Sequence, residues 1–542
     1  MKKNLNITLV ALNSKYVHNN IAIYYLEESI KKNINIIKEL NKDISLNTYT
    51  LQLSVNDNLN SILKNIIDTK PDIVCIGVYI WNVDIIYNLC ALLKDLLPNL
   101  IISLGGPEVS YNFNYVLNTH SYIDSILVLE SELNIIYLIK DYLLNNQVVN
   151  KTYEIPIKPS DIPSISNKLV LECVNKPIYF ETSRGCPYRC SYCTSCIDKT
   201  VRYRDLEVVF KELDILLEKN VKQIRFLDRT FNSNKERAII IWKYLLNNRK
   251  DTTFHFEICV NLLDDNTLEF LKTIPKDIFR FEIGIQSTNI DTLKAINRFN
   301  VFDKDKEIIL KLVDMNNIFI HSDLIIGLPY ESLEIFKNSF NDLYNLKTNE
   351  MQLGFLKFLK GTHIYNDKEK YGYIYNTTPP YEVISNNYIS FNDICFLKQL
   401  EEVFELLYNS NKFNESIKYL ENKFETPFDL YETITNFVIK NNIIKISYDI
   451  IYELLIKLFN NDTILIQLLT YDYFTNFKGS KHWMYNNYDI KKEINQYITN
   501  ILKISFSNHK DYYDIIKENK FLVLDYNIKN NKIEKTIYMI RK

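Results

Sequence analysis

Residues 181–196 read Glu-Thr-Ser-Arg-Gly-Cys-Pro-Tyr-Arg-Cys-Ser-Tyr-Cys-Thr-Ser-Cys. Cys186, Cys190 and Cys193 stand in a C-x3-C-x2-C spacing directly after a strand-like run, Ile178–Thr182. One loop with those spacings can wrap a corner of a cubic iron–sulfur cluster, each thiolate taking one iron. Three thiolates leave the fourth iron without a protein ligand, and an open metal position is what a reactive site needs. Cys196 leaves an alternative open: as a fourth ligand it would close the cluster, or complete a tetrahedral zinc site. The spacing departs from the C-x2-C-x2-C run of bacterial ferredoxins, and a zinc site rarely takes four thiolates from eleven residues. Cysteines packed as small hydrophobes fit poorly beside Arg184, Pro187 and Arg189. The reading carried forward is an open cluster on Cys186, Cys190 and Cys193, with Cys196 a bystander.

The elements that must position this loop alternate in type. Strand-like runs at Ile178–Thr182, Gln223–Leu227, Phe254–Cys259, Arg280–Ile285, Ile318–Ile326 and Met351–Leu356 are separated by helix-like segments such as Leu206–Glu218, Lys235–Asn247 and Asp291–Asn297. Six strand–helix repeats across 177–375 predict a (β/α)6 partial barrel with its chemistry at the carboxyl ends of the strands. Residues 1–145 alternate in the same way. Ile7–Leu12, Ile73–Val78 and Ile101–Leu104 read as buried parallel strands, with helices over Ile21–Lys32, Leu59–Ile67 and Val83–Leu97. An α/β doubly wound, Rossmann-like domain follows, with ligands expected at the loops Asn13–Asn20 and Gly105–Pro107. Pro156, Pro159 and Pro163 mark 146–176 as a linker. Residues 376–542 are mainly helical and end in a hairpin-like pair, Phe521–Tyr526 and Lys535–Ile540.

Composition bounds the function classes. Of 542 residues, 46% are hydrophobic and 24% charged, and the formal net charge of −2 gives no electrostatic capture of nucleic acid or of an anionic membrane. No stretch of eighteen apolar residues and no secretory h-region is visible, so no membrane span and no signal are expected. Nine cysteines at irregular spacing are too sparse for a disulfide scaffold. That usage fits a cytoplasmic protein whose thiols are free to bind metal.

The aromatic residue before the last cysteine, Tyr192, makes the motif C-x3-C-x-aromatic-C, which resembles the radical S-adenosylmethionine (SAM) superfamily. The resemblance implies a [4Fe-4S] cluster whose fourth iron is chelated by SAM, and reductive cleavage of SAM to a 5′-deoxyadenosyl radical. Phe281–Ser287 reads Phe-Glu-Ile-Gly-Ile-Gln-Ser, followed by Leu293, Asn297-Arg298 and Ser322-Asp-Leu-Ile-Ile-Gly-Leu-Pro329. These resemble the branch that holds oxygen-independent coproporphyrinogen oxidase and the cobalamin-dependent radical SAM enzymes. By that match Gln286 and Asp323 hydrogen-bond the ribose, Arg298 binds the SAM carboxylate, and Glu257 is a further SAM candidate. The chemistry agrees, since an Arg fork suits a carboxylate and an Asp suits a diol. Taken singly, Arg298 could be a surface ion pair and Asp323 a cap. The Gly327-Leu328-Pro329 turn departs from the family, which continues Gly-Glu where Tyr330-Glu331 stands here. Asp228-Arg229-Thr230-Phe231-Asn232 either faces the site or caps the next helix, and Gly354–Thr362 resembles the last barrel strand, lining the adenine.

Ahead of the barrel, Gly105-Gly106-Pro107-Glu108 resembles the Gly-Gly-Pro turn of the cobalamin-binding module of class B radical SAM enzymes. The segment Ala11–His18 resembles one subgroup of them, which adds Asn13, Ser14 and Lys15 to Gly105, Gly106 and Pro107 as cobalamin candidates. The Asp-x-His-x-x-Gly motif that supplies histidine to cobalt in some cobalamin proteins is absent, and His18 is more often a surface residue. Where the module often has Gly-Glu-Gly-Glu this chain has Leu129-Glu-Ser-Glu132, which fills space where a nucleotide tail would pass. The implied activity is cobalamin-dependent C-methylation of an unactivated carbon. The alternatives are radical rearrangement, cyclisation or oxidation without methyl transfer, a non-catalytic cobalamin or redox sensor, and an electron carrier with a closed cluster. Expected partners are a small-molecule or peptide substrate and an external electron donor of flavodoxin or ferredoxin type. The C-terminal region is expected to cap the barrel mouth.

Overall fold

The computed structural model describes residues 4–173, 175–198, 200–298, 301–460 and 462–477, and the backbone of 510–515, 520–529 and 532–541. The chain divides into two compact units, Met1–Ser332 with Gly354–Ser390, and Leu333–Leu353 with Phe391–Lys542.

The first unit holds two parallel sheets. In the N-terminal one, β1 (Asn4–Asn13), β2 (Ser45–Ser54), β3 (Ile73–Gly77), β4 (Ile101–Gly105), β5 (Ser125–Leu127) and β6 (Thr152–Tyr153) run in the order β2-β1-β3-β4-β5-β6. Every pairing is parallel. Val10, Leu12, Val74, Ile76, Ile102, Leu104 and Ile126 pack beneath helices carrying Ile62, Ile86, Leu89 and Leu93. Strands covered on both faces must read as continuous apolar runs, which is why β1, β3 and β4 are visible in the sequence. β2 shows a half-exposed alternation and β5 only three residues, so neither run stands out. The 146–176 segment is more than a linker. Thr152–Tyr153 completes the sheet edge beside β5, and Asn167–Glu172 is a helix capped by the Ser166 side chain.

The second sheet begins with β7 (Ile178–Phe180). A small antiparallel ladder, β8 (Ser183–Arg184) on β9 (Arg202–Tyr203), follows at its carboxyl end. Then come β10 (Gln223–Phe226), β11 (Thr253–Glu257), β12 (Phe279–Gln286), β13 (Phe319–Ile326) and β14 (Glu350–Phe355), in the order β14-β13-β12-β11-β10-β7. β7 and β14 are both edges, so the barrel is partial. One face is an aromatic layer: Phe226, Phe254, Phe256, Phe279 and Phe281 are at most 3% exposed. Trp242, on the helix Lys235–Asn248, packs among Phe231, Phe256, Phe270, Phe279 and Phe281. The alternate residues of β12, Arg280, Glu282 and Gly284, face the other way and stay partly exposed.

The second unit is mainly helical, as its sequence implies. Phe340, Tyr344, Phe404, Phe428 and Tyr431 form its aromatic core. The helix Pro427–Lys440 opens with Pro at its first turn and a Thr426–Asp429 capping box. The backbone of Lys510–Ile515, Lys520–Lys529 and Lys532–Arg541 forms an antiparallel three-stranded sheet, adding one strand to the expected hairpin.

Trp242 is fully buried in the aromatic layer. Trp242→Ala is expected to destabilise the protein by about 3–5 kcal/mol, read as a lowered denaturation midpoint. An unchanged midpoint would contradict this account of the layer.

Candidate active site

The cysteine loop is built from its base. Arg184 and Arg202 are cross-strand partners in the β8–β9 ladder, and the loop between them carries the three cysteines. Gly185 has φ +91°, and a Cβ there would meet the Thr200 carbonyl oxygen at 2.1 Å. Only glycine can join Arg184 to Cys186 at that approach. Asp228, just after β10, accepts from the Thr182 backbone N (2.8 Å), Thr182 Oγ1 (2.6 Å) and Ser183 Oγ (2.6 Å). Thr230 Oγ1 lies 3.5 Å from Cys186 Sγ, and Asn232 holds both the N–H and the carbonyl of Cys259. The cap of the next helix is Asn234 instead. The Asp228–Asn232 segment therefore faces the cysteine loop, which decides between its two possible roles.

The far side of the loop is tied to β12 and the helix after it. The Ser191 N–H donates to the Ile296 carbonyl at 2.9 Å. Arg298 Nη1 approaches Cys190 Sγ at 3.7 Å, and its Nη2 donates to the Gly284 carbonyl. Gln286 sits at φ +73° beside a register shift in the β12–β13 pairing. A Cβ on Gly284 would meet its Nε2 at 2.1 Å. Asp323 is the cross-strand partner of Gly284. Three of the four SAM candidates thus gather around one glycine, beside Cys190. A non-glycine residue at positive φ is a strained conformation, held here by pairing with Leu324 of β13.

The fourth candidate, Glu257, accepts from Arg229 Nη1 at 3.2 Å. It is the cross-strand partner of Glu282, whose Oε2 lies 3.0 Å from His255 Nε2. Glu257 and Glu282 side chains are 29% and 34% exposed although their strands lie inside the sheet, so this face lines a water-accessible lumen. Burial raises the Glu257 pKa to about 7; Arg229 opposes the shift, while Glu282 and Asp323 add to it. Glu282 is a lumen residue the motif matches missed. Its period-two spacing from Gly284 was the available signal.

Do these residues fit the implied cofactors? Among the described cysteines none is disulfide-bonded, and among the described residues no three His, Cys, Asp or Glu side chains converge on one metal ion. A cubic cluster asks instead for thiolates that stand apart, one per iron. Burial raises the Cys186 thiol pKa, and proximity to Cys193 and Cys190 adds to it. Arg298 beside Cys190 supplies a compensating cation. Tyr192 is half-buried near Arg298, Cys190 and Cys193, and desolvation drives its hydroxyl pKa well above the ordinary tyrosine value. The donor set suits the cluster. The side chain of Cys196 lies outside the described residues.

A cavity of about 680 Å³ opens between the carboxyl ends of the N-terminal strands and the cysteine loop. From the N-terminal sheet, Gly77, Tyr79, Gly105, Gly106, Pro107 and Leu129–Glu132 line it. From the barrel side Glu181, Ser183, Arg184, Gly185, Asp198, Arg202 and Arg229 do. That size is in the range of cofactor sites. Gly105, Gly106 and Pro107 stand where the resemblance puts them, but Gly106 serves the protein's own packing. At φ +106°, its Cβ would meet the Val78 carbonyl oxygen at 2.5 Å. Asn13, Ser14 and Lys15 do not line the cavity. Asn13 is buried and donates to Gln52 Oε1 at 2.7 Å, while Lys15 is exposed. From that loop Asn20 lines it, donating to Tyr79 OH at 2.9 Å. His18 is engaged elsewhere, with Nδ1 2.8 Å from Tyr179 OH. Among the described residues no histidine lines the cavity.

Two of the departures from the family pattern sit at strained positions. Leu129 adopts φ +59° and is 46% exposed, and Tyr330 adopts φ +61° with its ring 4.7 Å from that of Tyr388. Glycine would hold either conformation without cost.

Three family models match the chain. One described as "Radical SAM superfamily" matches residues 180–343, and one described as "B12 binding domain" matches 7–135. A third, described as "Protein of unknown function (DUF4080)", matches 369–540. Residues 180–343 thus carry a radical SAM domain and residues 7–135 a B12-binding domain. Among curated proteins it is similar to the 2-(S-pantetheinyl)-carbapenam-3-carboxylate methyltransferase of Streptantibioticus cattleyicolor. The two are 26% identical over 314 residues, 52% of this chain and 46% of that protein. It is also similar to the cobalamin-dependent radical SAM methyltransferase TokK of Streptomyces tokunonensis, at 24% identity with the same coverage. The chain spans about half the length of these curated relatives. Among solved structures, the cobalamin-dependent SAM radical enzyme OxsB, with aqua-cobalamin and SAM bound, aligns at TM-score 0.57 and 16% identity. That alignment covers 93% of this chain and 82% of that one. The radical SAM methyltransferase TsrM of Kitasatospora setae aligns at TM-score 0.54 and 15% identity, over 69% and 79%. These radical SAM and B12-binding matches imply a [4Fe-4S] cluster, SAM and cobalamin as cofactors.

Two outcomes follow from the strain and the charge. Leu129→Gly is expected to raise stability by about 1 kcal/mol, visible as a higher thermal midpoint; a lower one would mean that Leu129 packing outweighs its backbone strain. Glu257, at about 7 when folded and 4.5 when unfolded, holds a proton longer in the folded chain. Stability should therefore fall as pH rises from 4.5 to 7, by at most about 3 kcal/mol. Glu257→Gln should flatten that slope and raise the melting temperature at pH 8. An unaltered slope would remove Glu257 as its source.

Proposed function

We propose that this protein is a cobalamin-dependent radical SAM methyltransferase acting on an unactivated carbon. The observation that carries the reading is the shared cavity, whose walls come from the Gly-Gly-Pro turn on one side and the base of the cysteine loop on the other. The named activities of the carbapenam methyltransferase and TokK support it. When bound, the cluster and SAM would supply a one-electron route to a 5′-deoxyadenosyl radical, and cobalamin would supply a methyl carrier.

The chain's residues have the following roles in this proposal. Cys186, Cys190 and Cys193 hold the cluster. Arg298, beside Cys190, binds the SAM carboxylate through its guanidinium fork. Gln286 and Asp323 accept and donate at the ribose. Glu257 and Glu282 present carboxylates to the cationic part of SAM, which favours the ionised form of Glu257. Gly105, Gly106 and Pro107 face cobalamin. Among the described residues no histidine lines the cavity, so its walls would offer cobalamin no imidazole. A net charge of −2 favours a small molecule or peptide over nucleic acid as substrate, and the electron donor is of flavodoxin or ferredoxin type. Among the described residues no helix is long and apolar enough to cross a membrane, and a cytoplasmic, reducing setting suits the free thiols.

The test is anaerobic reconstitution with iron, sulfide and hydroxocobalamin, then reduction in the presence of SAM and chromatography for 5′-deoxyadenosine. Wild type should release the nucleoside and retain corrinoid, Cys190→Ala should release none, and Cys196→Ala should behave as wild type. Arg298→Ala should raise the KM for SAM at least about tenfold, as expected for loss of a charged fork. A zinc-loaded protein without iron, or a cluster lost in Cys196→Ala, would overturn the reading.

A further inference from the structure

The loop after β5 and the base of the cysteine loop share one charge centre. Arg184 Nη2 donates to Glu132 Oε1 (2.6 Å) and Glu181 Oε1 (2.6 Å), and its Nη1 to Glu130 Oε1 (3.2 Å). Arg202 donates to both oxygens of the same Glu130, at 2.9 and 2.7 Å. Arg184 and Arg202 are opposed across the β8–β9 ladder, and like charges at that position repel. Of the carboxylates that relieve the repulsion, Glu130 and Glu132 come from the N-terminal domain, two residues apart on a loop lining the cavity, while Glu181 and Asp198 flank the cysteine loop. Arg184 is only 14% exposed, so its fork has few alternatives in water.

We infer that Arg184 is a positioning residue that couples the cobalamin cavity to the cysteine loop, so that each cofactor strengthens binding of the other. An occupant of the cavity orders Glu130 and Glu132, these fix Arg184, and Arg184 is joined through Gly185 to Cys186. Lysine keeps the charge but offers a point donor in place of a fork, so it cannot hold three carboxylates. The inference rests on the cofactors proposed above. It concerns their mutual dependence, which those assignments alone do not require.

The experiment titrates hydroxocobalamin, by absorbance, into cluster-free and cluster-loaded full-length protein. Linkage makes the ratio of the two Kd values a direct measure of coupling. Wild type should bind roughly 5-fold or more tighter when the cluster is present, the low end of ordinary coupling. In Arg184→Lys, and in the isosteric Glu130→Gln should the first fold poorly, the ratio should fall towards one while both cofactors still bind. A wild-type ratio of one, or an unchanged ratio in both variants, overturns the coupling and leaves the cofactor assignment standing. Wild type that takes up no corrinoid or no cluster overturns the assignment and the coupling together.

Discussion

The peptide that carries the three cysteines is a loop between two arginines, and its shape depends on how that base is held. The β8–β9 ladder is two residues long and brings Arg184 opposite Arg202. Alone, that pairing would push the strands apart. Glu130, Glu132 and Glu181 turn the repulsion into a bidentate network, and Asp228 fixes Thr182 and Ser183 just before it. Charge pairing with good fork geometry and little water is worth more than an exposed ion pair. The cluster site is thereby tied to a domain more than fifty residues earlier in the chain.

Backbone strain also occurs at three strand ends. Leu129, Gln286 and Tyr330 all hold positive φ without being glycine. Each ends or follows a strand whose carboxyl end faces a ligand site. Such conformations persist only where neighbouring structure over-determines them. For Gln286 the constraint is visible: Gly284 leaves room for its amide, and Arg298 closes over the same glycine carbonyl. For Tyr330 the ring lies against those of Tyr388 and Tyr371.

The barrel shows how one strand serves two purposes. The residues of β12 that face the helices are phenylalanine and isoleucine, packed in an aromatic layer. Those that face the lumen are Arg280, Glu282 and Gly284. Period-two alternation lets a single strand anchor the core and present charge to a ligand. The cost falls on Glu257, whose pKa is raised first by burial and then by the nearby carboxylates of Glu282 and Asp323.

Much of this was legible in the sequence. The buried strands β1, β3 and β4, the barrel strands and the helix Ile21–Lys32 follow from apolar runs and amphipathic period, because local burial on both faces leaves a local pattern. The thiol spacing likewise stands out within sixteen consecutive residues. Short or half-exposed elements such as β2, β5 and Thr152–Tyr153 leave no such pattern, since their place in the sheet comes from partners distant in sequence. The same reason hid the rest of the site. Nothing around residue 130 announces that its carboxylates will meet Arg184 and Arg202, and nothing near residue 13 says that Asn20 will line the cavity in its place. Sequence by itself determined where the thiols cluster and which segments become strands, because those depend on chemistry and periodicity within a few residues. Tertiary structure alone decided which loops share a wall, because that depends on charges brought together by the packing of two parallel sheets.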